Sequence, residues 1–100
     1  MRIDKFEKLV EAKKMKIEKR IKYLDKEIFI CEGYSTGDKD EFSPHYKTMY
    51  ALSDGPEHIT TGEFYTTPIL FPIPDKNDRL MTAQKRAEEF LDGMKAEVPS

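Results

Sequence analysis

The stretch KKMKIEKRIK, Lys13 to Lys22, decides how this chain is to be folded. Six of its ten residues are basic and only Glu18 is acidic. Its two isoleucines, Ile17 and Ile21, belong to a longer series that runs outward through Ile3, Phe6, Val10, Leu24 and Ile28. At about 100° per residue these positions fall in one narrow arc, the pattern of an amphipathic helix with a single buried stripe. Neither Pro nor Gly interrupts residues 3–31. Asp4 and Glu7 lie near the start, where the helix dipole favours negative charge. The spacing therefore predicts one long helix from about residue 3 to residue 26 or 27. Lys5, Lys8, Lys16, Lys19 and Lys26 gather opposite the stripe, so the basic run reads as the solvated back of that helix, with Ala12, Met15 and Tyr23 set among the lysines. The functional reading of the same face is a surface that grips a partner or a phosphate. Ile3, Val10, Ile17 and Leu24 are seven apart, but Lys13 and Arg20 occupy positions that a coiled coil needs apolar. Packing on a sheet is the better expectation.

The rest of the chain supplies that sheet. EIFICEGYS is rich in β-branched and aromatic residues and predicts a strand over about 28–35. TGDKDEFSP, with Gly37, three acids and Pro44, predicts a loop over about 36–44. HYKTMYALS predicts a second strand, and HITTGEFYT a third. Between them SDGPEH is a strong turn signal, because Asp54–Gly55 suits a tight reversal. Pro68 ends the third strand or places it at an edge, and Pro72 and Pro74 keep ILFPIP from being a central strand. A second helix starts near Asp75 or Asp78, either of which can cap its first amides. It carries Leu80, Ala83, Ala87, Phe90, Leu91 and Met94 on one stripe and is expected to stop at Gly93, with a frayed tail over about 95–100. The chain is thus expected to be a single α+β domain over residues 1–100. It has two layers: a long N-terminal amphipathic helix and a C-terminal helix on a three- to four-stranded antiparallel sheet.

Composition narrows the classes of function. Of the 100 residues, 38% are hydrophobic and 36% charged, so the core must be small, and a second copy or a partner would complete it. The single cysteine, Cys31, cannot form an internal disulfide and lies in an apolar run, which reads as a buried inert thiol. The start MRIDKFEK is charged where a leader peptide turns apolar, and TTPILFPIP is too short to span a bilayer. A cytoplasmic protein without membrane partners is expected. Net charge is −2, but residues 1–30 hold ten basic and six acidic residues, whereas residues 31–75 hold two basic and eight acidic. Such segregation of sign suits electrostatic steering of a partner.

No motif for catalysis, a cofactor or a metal emerges. His45 and His58 are the only histidines, and a His–His–carboxylate cluster with Asp54 or Glu57 matches no compact ligand spacing. Asp38 and Asp40 lack the further ligands of a calcium loop. The five glycines are scattered, with no phosphate-binding run. The leading expectation is a small non-enzymatic binding protein that regulates or inhibits a larger protein through its charge-segregated surface. Its size and composition are common among accessory proteins of phages and mobile elements. The candidate contact residues are Lys16, Lys19, Lys26 and Tyr23 on the first helix. On the sheet they are Tyr46, Tyr50, Tyr65, Glu57 and Glu63, since tyrosine beside acids suits a basic protein surface and repels a nucleic acid. The alternatives are nucleic-acid binding through the basic helix face, a small nucleotide-like ligand held between the tyrosines and a helix, and self-association into a homodimer.

Overall fold

In the computed structural model of the protein, residues 1–35, 44–69, 72 and 74–97 are described, with side chains as far as Gly93. The elements are α1 (Ile3–Ala12), β1 (Met15–Tyr23), β2 (Lys26–Ser35), β3 (His45–Ser53), β4 (Ile59–Pro68) and α2 (Lys76–Glu97). The four strands form one antiparallel meander in the order β1-β2-β3-β4.

The class is the expected α+β, with four antiparallel strands and a helix at each end of the chain, but the N-terminal helix is not the long one foreseen. It ends at Ala12, and KKMKIEKRIK crosses into β1. Two features of the backbone explain the difference. Lys14 (φ 58°) and Leu24 (φ 57°) turn the chain at either end of β1 without glycine, so no breaker appears in the sequence. Inside β1, Ile17 pairs with Cys31 and Lys19 with Ile30, leaving Glu18 as the extra residue of a β-bulge. A bulge reverses the alternation of side chains. Ile17 packs with the cluster beneath α1, and Ile21, four residues on, packs with the cluster beneath α2. The spacing that mimics a helical stripe is a strand that changes faces.

The two helices lie on opposite faces of the sheet, so the molecule has three layers rather than two. Alternation in β2 makes this necessary: Ile28, Phe29, Ile30 and Cys31 are all at most 1% exposed, and successive residues point to opposite sides. Phe29 and Cys31 join Phe6, Val10, Met15, Met49, Ala51 and Ile59 beneath α1. The Phe6 and Phe29 rings are 5.3 Å apart at 42°. Ile28 and Ile30 join Tyr50, Leu80, Ala83, Ala87 and Leu91 beneath α2. Each fully buried large side chain contributes about 1.5–3 kcal/mol. The alanines of α2 bring that helix close to the sheet, while Phe90 of the expected stripe is 51% exposed.

Local chemistry fixes the ends of the elements. Asp75 Oδ1 accepts the Asp78 amide at 2.8 Å and caps α2 as foreseen. The helix passes through Gly93 to Glu97 instead of stopping there, because Met, Lys, Ala and Glu are good helix formers and outweigh one glycine. The expected contact of Met94, the loop over 36–43 and the tail residues 98–100 lie outside the described residues. On β4, Gly62 and Glu63 occupy the register shift opposite Tyr50. A Cβ on Gly62 would stand 2.1 Å from the Tyr50 ring, so only glycine lets that ring lie across the strand. At the start of the chain the Met1 ammonium donates to the Ile59 carbonyl (3.0 Å), and the Ile59 amide donates to the Met1 carbonyl (2.8 Å).

Candidate functional site

β2, β3 and the first turns of α2 converge on a polar cluster. Glu32 of β2 and Arg79 of α2 form a bidentate pair, Nε to Oε2 at 2.8 Å and Nη2 to Oε1 at 2.9 Å, with side chains only 6% and 7% exposed. Thr48 of β3 donates its hydroxyl to Glu32 Oε2 (3.2 Å), and Arg79 Nη1 donates to the Pro74 carbonyl (2.8 Å). The guanidinium carbon sits 3.6 Å from the centre of the Tyr46 ring. Two of these hydrogen bonds tie Arg79 to the sheet and the third to the segment just ahead of α2, and Glu32 holds it still more firmly protonated than an ordinary arginine.

Above this cluster the last row of the α2 face runs from Tyr34 past Tyr46 to Thr67, following the strand registers, and Lys14 of the preceding turn lies beside Tyr34. The Tyr34 and Tyr46 rings meet edge to face at 5.4 Å and 61°, and Tyr34 stays 47% exposed. Tyr34 and Tyr46, with Lys14, Lys16, Glu18, Glu32 and Gly33, line a hollow of about 250 Å³. Both acids in it are already neutralised, Glu32 by Arg79 and Glu18 by Lys76 at 2.9 Å. Lys14 and Lys16 form no ion pair among the described residues. On the opposite face of the same end, Lys13 Nζ stands 5.8 Å from the ring centre of Phe64, which is 46% exposed, and Lys47 donates to the Lys13 carbonyl at 3.0 Å. This end of the sheet thus combines four lysines with three aromatic rings.

The residues singled out from sequence are dispersed. Lys16 and Tyr46 meet at this end. Lys19 points along the α2 face, 3.8 Å from Met81 Sδ. Tyr23 and Lys26 lie at the far end, where the Tyr23 hydroxyl donates to both oxygens of Asp92 (2.8 and 3.0 Å) and Lys26 pairs with Asp54 (3.1 Å). That contact with Asp92 holds the Tyr23 hydroxyl above its ordinary pKa. Glu57 is exposed in the β3–β4 turn. Tyr50 is 2% exposed, in the core. Tyr65 donates its hydroxyl to Glu63 on β4, and burial followed by that bond pushes its pKa up. Lys16, Lys19, Tyr23 and Lys26 belong to a strand pair and not to one helix face. Arg79 was not foreseen, because its partner lies 47 residues away.

His45 opens β3 and His58 precedes β4 beyond the other end of β3, about 27–30 Å away at the rise of an extended strand. Among the described residues no group of three or more His, Cys, Asp or Glu could hold a metal ion. Cys31 is buried, and desolvation, then the charge of Glu18, pushes its thiol up to about 12. No described helix is long and apolar enough to cross a membrane. No protein-family model, no curated protein and no solved structure matches this chain.

Proposed function

We propose that this chain is a small non-enzymatic binding protein of the cytoplasm that regulates or inhibits a larger protein by docking the Tyr34–Lys14–Lys16 end of its sheet onto an acidic surface. One observation carries the reading: an exposed tyrosine lies beside two lysines without ion-pair partners among the described residues, over a hollow whose own acids are neutralised. Tyrosine offers large contact area at low entropic cost, and unpaired cations steer an anionic partner. The Glu32–Arg79 pair fixes the platform, since its guanidinium holds the Tyr46 ring against which Tyr34 packs.

The test is capture of a partner from lysate by the C-terminally tagged protein, with and without nuclease, at two salt concentrations. Tyr34→Ala and the pair Lys14→Glu with Lys16→Glu are run beside the wild type. The expected result is a nuclease-resistant protein band that both variants lose while far-UV circular dichroism is unchanged. A band retained by both variants would overturn the assignment. The interleaving of lysine and aromatic residues also suits a single-stranded nucleic acid, which stacks bases on rings and follows cations. The net charge of −2 opposes that reading, and it requires capture that nuclease abolishes and that falls steeply with salt. In this hollow of about 250 Å³ a small ligand is disfavoured by volume, because ligand pockets occupy about 300–1,000 Å³.

A further inference from the structure

The two edges of the sheet are protected unequally. β1 carries Lys16, Lys19, Arg20, Lys22 and the bulge at Glu18, the devices that keep an exposed edge from pairing with another chain. β4 has high strand propensity and a single charge, Glu63. Its outer edge already accepts an antiparallel neighbour at one point, where Met1 exchanges both backbone hydrogen bonds with Ile59.

The hydrogen bonds show which groups of β4 face outward. Beyond the bulge, the Ile69 amide donates to the Pro44 carbonyl, so residues 65 and 67 bond inward to β3 while Phe64, Thr66 and Pro68 present their polar groups to the outside. Pro68 has no amide to give. The bulge at Gly62–Glu63 interrupts the row on the other side. Among the described residues no strand pairs this edge. A regular run therefore remains only around Phe64 and Thr66, and one antiparallel register satisfies both: Phe64 against Thr66 of another copy and Thr66 against its Phe64. That register places Tyr65 opposite Tyr65 and Glu63 opposite Thr67, so no like charges face each other, whereas β1 paired with itself would bring cations together.

We infer that β4 pairs antiparallel with the β4 of a second copy of this chain, with Tyr65 at the twofold axis, joining two four-stranded sheets into one of eight strands. The pairing is closed and isologous, because Met1 and the bulge stop it from running further along the edge.

Sedimentation velocity on the untagged protein from about 1 µM to about 1 mM, a range that covers weak interfaces, tests the association. The expected result is a monomer–dimer equilibrium that Thr66→Pro and Phe64→Lys each abolish without changing the circular dichroism spectrum. Cross-linking tests the register. Facing residues of this kind have Cα atoms about 4.5 Å apart, within the disulfide range of about 4.4–6.8 Å. Tyr65→Cys is expected to oxidise to a disulfide-linked dimer, and Phe64→Cys is not. A wild type monomeric throughout, a dimer that survives both edge variants, or cross-linking of Phe64→Cys as readily as Tyr65→Cys would each overturn the proposal.

Discussion

Replacing Arg79 with leucine would leave the Glu32 carboxylate buried beneath α2 with only the Thr48 hydroxyl for company. Breaking a buried pair from one side costs about 3–5 kcal/mol, because the surviving charge has neither water nor a counter-ion. The pair is 6–7% exposed and bidentate, so solvent screening does not lighten that penalty. A domain of this size is stable by about 5–15 kcal/mol in all. The single substitution should therefore remove a fifth or more of the stability and lower Tm by at least about 12 °C. Removing the charges together is a different perturbation. With Glu32→Leu added, the remaining cost is the Thr48 hydroxyl, 1% exposed and without its acceptor, worth about 1–3 kcal/mol. Thr48→Val then removes that orphan, and the triple variant should regain most of what Arg79→Leu loses. What it cannot regain is the stacking on Tyr46, about 0.5–2 kcal/mol. Urea unfolding followed by circular dichroism, with no tryptophan in the chain to report instead, gives the cycle. If Arg79→Leu costs less than about 1 kcal/mol, or the triple variant loses the sum of its parts, the account of this cluster is wrong.

Three further outcomes are expected. Leu24→Gly should stabilise by about 0.5–1 kcal/mol in the same assay, because an exposed leucine at φ 57° pays more strain than glycine pays in unfolded-state entropy. Gly62→Ala should destabilise by about 1–3 kcal/mol through collision with the Tyr50 ring, and unchanged stability would mean that ring is free to move. Stability should be independent of Cys31 below pH 9.0 and fall as pH rises from there to about 12, because the unfolded thiol ionises while the buried one stays protonated. Tyr50 and Tyr65, whose pKa values burial raises above 10.0, extend the same loss above pH 10, and urea midpoints across that range measure it.

Much of the fold was legible in local chemistry. β3 carries its alternation and its flanking Pro44 and Asp54–Gly55, and α2 declares its cap at Asp75. β1 was not legible, because the two signals that separate strand from helix were both missing. Its turns fall on Lys14 and Leu24 in place of glycine, and its bulge at Glu18 sets Ile17 and Ile21 four apart. The β-branched content of Ile17 and Ile21 was the remaining clue. The aromatic and basic residue types of the candidate site were visible in the sequence, but their grouping was not. Lys14 and Lys16 reach Tyr34 only through the β1–β2 pairing, and Arg79 reaches Glu32 only once α2 has crossed the sheet.

The backbone pairing of Met1 with Ile59 has a practical consequence. The Ile3 amide donates to the Pro56 carbonyl, so the start of the chain runs antiparallel to β4. Residues fused ahead of Met1 would be led along the outer edge of β4 toward Thr61 and Phe64. A tethered peptide acts at an effective concentration in the millimolar range. An affinity tag, or the few residues left after cleaving one, would then compete with any second chain for that edge at an advantage no free partner matches. Proteins prepared with and without such a leader are two different reagents.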